Sequence, residues 1–275
     1  MPVSSKTYGR ECSKKHAVNP LYLCGLVDSV LDLAHAFVAE CCLPVWGSVL
    51  ADSQRYGRGQ QRRKWVSPPG NIYAALRLPL TKPFASGAAS LVAGTLLAEA
   101  FARRNIHLLL KWPNDLLLCP PLGRRTRHAL PFGKVGGILL EERAGALIAG
   151  IGINVASAPA WEHIREGGLP AACLNDWSHS NILTKDALLG LWSCLVDSFL
   201  LCYHHWERLG NNAWLTSAEQ RLVWKGERVL LDDGERHEGV LAGLAASGGV
   251  RLVCNGVEKE FVCGTLSPRS LSSIL

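Results

Sequence analysis

The stretch "KVGGILLEERAGALIAGIGINV", Lys134 to Val155, constrains this chain more than any other. Both halves are rich in residues that suit a pleated, half-buried surface. Ala144-Gly145 between them suits a tight turn, so the stretch predicts a β-hairpin. Each arm also carries glycines: Gly136 and Gly137 in one, Gly150 and Gly152 in the other. Glycine weakens a strand unless a ligand or another backbone approaches closely. Tight packing against a helix accounts for either pair alone. Both pairs in neighbouring strands favour a ligand cleft, with Lys134 at the start of one arm and Asn154 at the end of the other.

Around this hairpin the pattern alternates between periods. "DSVLDLAHAFVAECC" has helical spacing, and Ser29 with Asp32 has the spacing of a capping box. "WGSVLAD" and "NIYAALRLPL" predict strands. "SGAASLVAGTLLAEAFARRN" predicts a helix capped near Ser86. "HLLLKWPNDLLLC" predicts two short strands around a turn at Pro113-Asn114-Asp115. "TKDALLGLWSCLVDSFLLCYHHWERLG" predicts a long amphipathic helix with Thr184 as N-cap. Beyond it, "DDG", "SGG" and "NG" break a run of short strands, the pattern of a small β-barrel or sandwich. The fold class is α+β. The expected division is a loosely ordered segment at 1–19, a larger domain at 20–218 and a small β domain at 219–275.

With 48% hydrophobic and 19% charged residues, the 275-residue chain is globular rather than disordered. No apolar run is expected to span a bilayer, and the N-terminus lacks a signal-peptide core, so the expected compartment is cytoplasmic. The ten cysteines sit mostly in apolar segments without a C-x-x-C pair. Buried, reduced thiols are expected rather than disulfides or zinc. The net charge of +6 is too small for a nucleic-acid binder, and its excess lies in Arg55 to Lys64 and Gly123 to His128. Local clusters point to a local anion, and neither DNA nor membrane is an expected partner.

"RYGRGQQRRKW", Arg55 to Trp65, combines glycines that allow close backbone approach with guanidinium forks that suit phosphate or carboxylate oxygens. A solvated turn has the same composition. "KWPND", Lys111 to Asp115, ends a lysine and a carboxylate on a rigid corner. An ordinary turn explains Pro-Asn-Asp but not the Lys-Trp before it.

In order along the chain, G-R-G-x-x-x-R-x-W, P-P-G-N-I-Y, K-W-P-N-D, K-x-G-G-I-L-x-E and G-I-G-I-N resemble the biotin–protein ligase family. The motifs cover Pro20 to Val155, and the architecture extends the likeness to about Arg269. The resemblance implies a class II synthetase-like mixed sheet with helices, followed by an SH3-like domain. With no room before Pro20 for a helix-turn-helix module, the chain resembles the monofunctional class. The implied reaction joins biotin to ATP as biotinyl-5′-AMP. The biotinyl group then passes to a lysine of a biotin carboxyl carrier domain of a carboxylase.

By this resemblance, Ser29, Gln54, Gly57, Arg58, Gly59, Gln60, Lys134, Gly150 and Gly152 hold biotin. Arg63, Lys64, Trp65, Asn71, Asp115, Lys134 and Asn154 hold ATP. Arg58, Lys134 and Asp115 are the implied catalytic residues. Arg58 and Lys134 would offset the repulsion between carboxylate and α-phosphate, with Mg²⁺ arriving on the phosphates. Asp115 would accept a proton from the attacking lysine or orient its amine. No protein-held metal is expected. Pairing through an exposed sheet edge is common in the family, which leaves a homodimer open.

Two positions depart from the family pattern. Val30-Leu31 follows Ser29 where the family has Thr-Asn, so one hydrogen bond to biotin should be missing. Gln60 stands where many members have arginine, so the adenylate should be held less firmly unless Arg62 or Arg63 compensates. The segment Cys119 to Gly133 is either a surface loop or a contact for an acidic carrier domain. The departures also keep open a non-catalytic biotin sensor. A lipoate ligase of the same fold is a further alternative, although its Arg-Arg-x-x-Gly-Gly-Gly signature is absent.

Overall fold

The computed structural model describes residues 19–119, 132–159, 169–176, 185–210 and 212–269. The cluster at 123–128 and the cap residue Thr184 fall outside this set.

The strands β1 (Leu21–Val27), β2 (Ser48–Gln54), β3 (Ile72–Leu78), β4 (Leu108–Lys111), β5 (Asp115–Leu118), β6 (Gly133–Arg143) and β7 (Ala146–Ile153) form one sheet. Its order is β1-β2-β3-β7-β6-β5-β4. β1 and β2 run parallel and the other pairs antiparallel. The hairpin turns where the sequence predicts: Ala144 and Gly145 both have positive φ, as a two-residue primed turn requires, and Arg143 pairs with Ala146. β1 has no counterpart in the sequence analysis. "LYLCGLV" does not alternate, because an edge strand is covered unevenly; Gly25 and Leu26 are exposed.

Strand alternation divides the core between the two faces. Ala74, Leu76, Ala149 and Ile151 pack on one face beneath α2 (Ala89–Ala102), with α3 (Lys185–Leu209) and α4 (Ala213–Arg221) behind it. Ala75 and Ile148 pack on the other, beneath Val30, Leu31 and Ala34 of α1 (Val30–Ala39). Leu191, Leu195, Phe199, Cys202 and Trp206 of α3 enter the main core at helical spacing. By length and composition alone, residues 187–209 would also pass for a membrane span, with an 18-residue window of mean hydropathy 1.4, but the same residues supply this core face.

Both expected helix caps differ in detail. Ser29 is extended at the N-cap of α1 but makes no side-chain capping bond. The Val30 amide donates instead to Gln54 Oε1 at 2.9 Å, and Asp32 turns outward to arginines. Ala88 is the N-cap of α2, and Ser86 Oγ accepts from the Ala88 amide at 3.3 Å. The described cysteines are free, but Cys41, Cys42, Cys194 and Cys263 are exposed, so the expectation of general burial fails. They fall at the end of α1, on the outer side of α3 and in a turn, where an apolar neighbourhood in sequence does not mean burial.

The C-terminal strands β8 (Arg228–Asp232), β9 (Arg236–Leu244), β10 (Val250–Cys254), β11 (Val257–Phe261) and β12 (Thr265–Pro268) form a second, antiparallel sheet, ordered β11-β10-β9-β8-β12. This small sheet is consistent with an SH3-like domain. Gly234, Gly248 and the Asn255-Gly256 pair have positive φ at the three expected turns. Residue 218 lies inside α4, and helix gives way to sheet between Arg221 and Arg228. Two contacts fasten this part to the main sheet. The Val223 amide donates to Leu110 O at 3.0 Å on the outer edge of β4. The buried Trp112 Nε1 donates to Gly248 O at 2.9 Å. Trp112→Phe would leave that carbonyl without its donor, so a loss of about 1–3 kcal/mol in unfolding free energy is expected in urea titration.

Candidate active site

The cleft lies on the α1 face of the sheet and holds about 370 Å³. Its floor follows from strand register. Gly137 of β6 pairs directly with Gly152 of β7, so two residues without side chains face the same way and leave a bare patch. The Trp65 indole lies on that patch. A Cβ on Gly152 would sit 2.6 Å from Trp65 Cε2, and one on Gly137 would sit 3.4 Å from Cζ3. Ile153 and the Gly152 carbonyl close on Gly136, which stays out of the cleft lining. Gly150 lines the cleft beside Leu31, which fills the space its side chain would need. Tight packing therefore explains Gly136, a cleft explains Gly137 and Gly152, and both bear on Gly150.

The basic stretch folds back on itself to roof this floor. The Trp65 amide donates to Gly57 O, and the Gly59 amide to Arg63 O, both at 2.8 Å; Arg58 and Lys64 form a bridge between these bonds. Gln60–Arg62 make a single 3-10 turn at the tip, with Gln61 at φ 55°. Gly57 is steric: a Cβ there would lie 2.5 Å from Trp65 O. It does not line the cleft, whereas Gly59, Gln60, Arg63, Lys64 and Trp65 do. The buried Trp65 Nε1 has no hydrogen-bond acceptor among the described residues.

The cationic wall comes from the K-W-P-N-D corner. Asn114 pins it to β6: its side-chain amide donates to Ile138 O at 2.7 Å, and the Ile138 amide donates to Asn114 O at 3.1 Å. Asp115 stands between two ammonium groups, with Lys134 Nζ at 2.6 Å and Lys111 Nζ at 3.3 Å. Burial pushes its carboxyl up, but the two lysines outweigh that and hold it below the ordinary carboxylate value. Lys134 Nζ also lies 5.3 Å from the centre of the Trp65 ring, a cation–π contact. Among the described cleft-lining residues Asp115 is the one carboxylate, and it is paired with lysines. Among the described residues no three His, Cys, Asp or Glu side chains come together as a metal-ligating group.

Ser29, Gln54, Arg58 and Asn154 line the cleft as well. Asn154 Nδ2 donates to Ala172 O at 3.1 Å, and Gln54 Nε2 to Ser67 Oγ at 3.0 Å. Asn71 is different, because its side chain is spent on the fold. It is 3% exposed and away from the cleft. Its Oδ1 accepts from the amides of Val155 at 2.8 Å and Ala156 at 2.9 Å, while Nδ2 donates to Ser157 O at 3.0 Å. Asn71 therefore shapes the turn after β7. The Arg58 guanidinium is engaged by Asp32 and Glu141. Trp224 and residues Gly264 to Pro268 line the cleft too. No local pattern pointed to them; only the docking of the second sheet brings them there.

Residues 43–157 match the model of the Biotin/lipoate A/B protein ligase family. The chain is 31% identical over 221 residues to the biotin–[acetyl-CoA-carboxylase] ligase of Paracoccus denitrificans, across 74% of this chain and 82% of that protein. It is 27% identical over 237 residues to the bifunctional ligase/repressor BirA of Escherichia coli K12, across 80% of this chain and 66% of that protein. The solved biotin protein ligase from Aquifex aeolicus in complex with biotin and ATP superposes with a TM-score of 0.68 at 26% identity. That match covers 90% of this chain and 97% of the other.

The depressed Asp115 carboxyl sets a pH dependence. A folded pKa below the unfolded one contributes stability above the unfolded value, about 3.9, that is lost as pH falls through the folded value. The melting-temperature gap between wild type and Asp115→Asn is therefore expected to be widest near neutrality and to narrow below about pH 4.

Proposed function

The chain belongs to the biotin/lipoate A/B protein ligase family, and we propose that its cleft carries out ATP-dependent biotinylation of a carrier protein. The protein is a biotin–protein ligase: it forms biotinyl-5′-AMP and transfers biotin to the biotin-carrying part of an acetyl-CoA carboxylase. The observation that carries this reading is the Lys111–Asp115–Lys134 group beside the bare Gly137–Gly152 patch, roofed by the Gly57–Trp65 hairpin.

In the first step, a biotin carboxylate oxygen attacks the α-phosphorus of ATP. One P–O bond forms, the bond to the leaving oxygen breaks, and pyrophosphate departs. Two anions must meet, and Lys134 with Lys111 offsets their repulsion from fixed positions. Asp115 holds the two ammonium groups together, leaving one net positive charge for the ligand. Mg²⁺ carried on the phosphates of ATP would supply further charge neutralisation there. Trp65 presents its buried Nε1–H to the bound ligand. Biotin takes the apolar end of the cleft among Val30, Leu31, Ile138 and Leu139, where Ser29 and Gln54 supply the polar groups.

In the second step, a carrier lysine attacks the acyl carbon, the C–N bond forms and AMP leaves with the C–O bond electrons. The amine must first lose a proton. Asp115, held ionised below its ordinary pKa, is a poor acceptor and serves to orient the amine. The proton passes to water.

Biotin-dependent exchange of labelled pyrophosphate into ATP tests the reading. A lipoate ligase would exchange with lipoate in place of biotin, and a sensor would bind biotin without exchange. Lys134→Gln is expected to lower the exchange rate roughly 10²–10³-fold. Gln60→Arg restores a cation at the tip of the roof, and release of biotinyl-AMP in a rapid-dilution assay is expected to slow. An unchanged release rate would remove Gln60 from the account of intermediate retention.

A further inference from the structure

Arg58 is the family-motif cation expected at the ligand, yet its guanidinium is saturated from the other side. Its Nη1 donates to Asp32 Oδ2 at 2.6 Å and its Nη2 to Asp32 Oδ1 at 3.0 Å. Nη2 also donates to Glu141 at 3.0 and 3.3 Å. Arg143 closes the ring, with Nη1 at 3.1 Å from Asp32 Oδ1 and Nη2 at 2.5 Å from Glu141 Oε2. Two cations and two anions thus alternate across three elements: α1, the hairpin and the end of β6. The register explains the meeting, since Glu141 and Arg143 follow Gly137 and Leu139 at two-residue steps on the α1 face of β6. His35 lies one turn along α1 from Asp32, with Nε2 3.9 Å from Glu141. Burial, then the Arg143 charge, lowers its pKa, so it adds no third cation.

Asp32, Glu141 and Arg143 lie outside the cleft lining. Moving Arg58 to a ligand would strip two carboxylates of charge-assisted bonds, whereas Lys111, Lys134, Arg63 and Lys64 already face the cleft. We propose that Asp32, Glu141 and Arg143 are positioning residues that hold Arg58, and through it the Gly57–Trp65 hairpin, closed over the cleft. This rests on the hairpin roofing the bound adenylate in a biotin ligase. Arg58 then acts as an anchor, and the cationic chemistry falls to the lysines.

Arg143→Gln and Asp32→Asn test the anchor in the full chain. In the ligand-free protein, tryptic cleavage after Arg63 and Lys64, mapped by mass spectrometry, is expected to accelerate about tenfold in both variants. KM for biotin and the release rate of biotinyl-AMP are expected to rise by a similar factor, with kcat for pyrophosphate exchange changed much less. Arg143→Lys should recover part of the protection. Because the ring is partly exposed, raising salt from 0.05 to about 1 M should speed cleavage in wild type and hardly alter it in Arg143→Gln. Cleavage unchanged in both variants, or a fall in kcat with unchanged KM and cleavage, would overturn the anchor. Absence of biotin-dependent exchange in wild type would instead sink the ligase reading, and the cleavage rates would then judge the anchor by themselves.

Discussion

The carboxylate of Asp115 sits within 3.3 Å of two ammonium groups, and the cleft depends on that arrangement. Lys111 ends β4 and Lys134 opens β6, so without the anion between them two like charges would face each other at the meeting of three strands. With it, the group carries one net positive charge on a corner that cannot swing, because Asn114 is hydrogen-bonded to Ile138. Buried ion pairs are weak evidence for stability, since desolvation offsets most of their attraction. Their value here is positional. A fixed excess charge needs no reorganisation when an anion arrives, and preorganised charge is what a reaction between two anions requires.

The floor beside it obeys a different rule. Where the corner supplies charge, the facing pair Gly137 and Gly152 supplies absence: with no Cβ on either, an indole can lie against the sheet backbone. The charge of the basic stretch is then divided between two jobs. Arg58 faces carboxylates of the fold, and Arg63 and Lys64 face the cleft. These cations look like one patch in sequence, but the folded hairpin gives Arg58 carboxylate partners and leaves Arg63 and Lys64 on the cleft.

Much of this was legible in the sequence, for identifiable reasons. Gly145 and Asn255-Gly256 announce turns because few residues other than Gly and Asn accept their backbone angles. The α+β order, the β6–β7 hairpin and the K-W-P-N-D corner follow from local chemistry. Glycine pairs pointed to a cleft, but sequence could not say what covers each one; Leu31 fills the gap over Gly150 and Trp65 the one over Gly152, and only the fold brings them there. The motif around Asn71 gave no sign that its amide is taken up by the turn after β7. Strand β1 escaped because an edge strand needs no clean alternation. The Trp224 and Gly264–Pro268 lining comes from more than a hundred residues away from the hairpin roof, and no short pattern encodes such a meeting.

The bond from Trp112 to Gly248 joins the cationic corner to the second sheet, and a Cβ on Gly248 would lie 2.4 Å from Ala88 Cα. The small sheet is therefore not an independent cassette. A chimera that exchanged it between relatives would have to carry over a bare, left-handed position at that turn and an indole donor on the corner, two traits located in different halves of the chain. Such traits must change together or not at all. The seam should accordingly be inherited as one unit, even where the surfaces on either side of it drift apart.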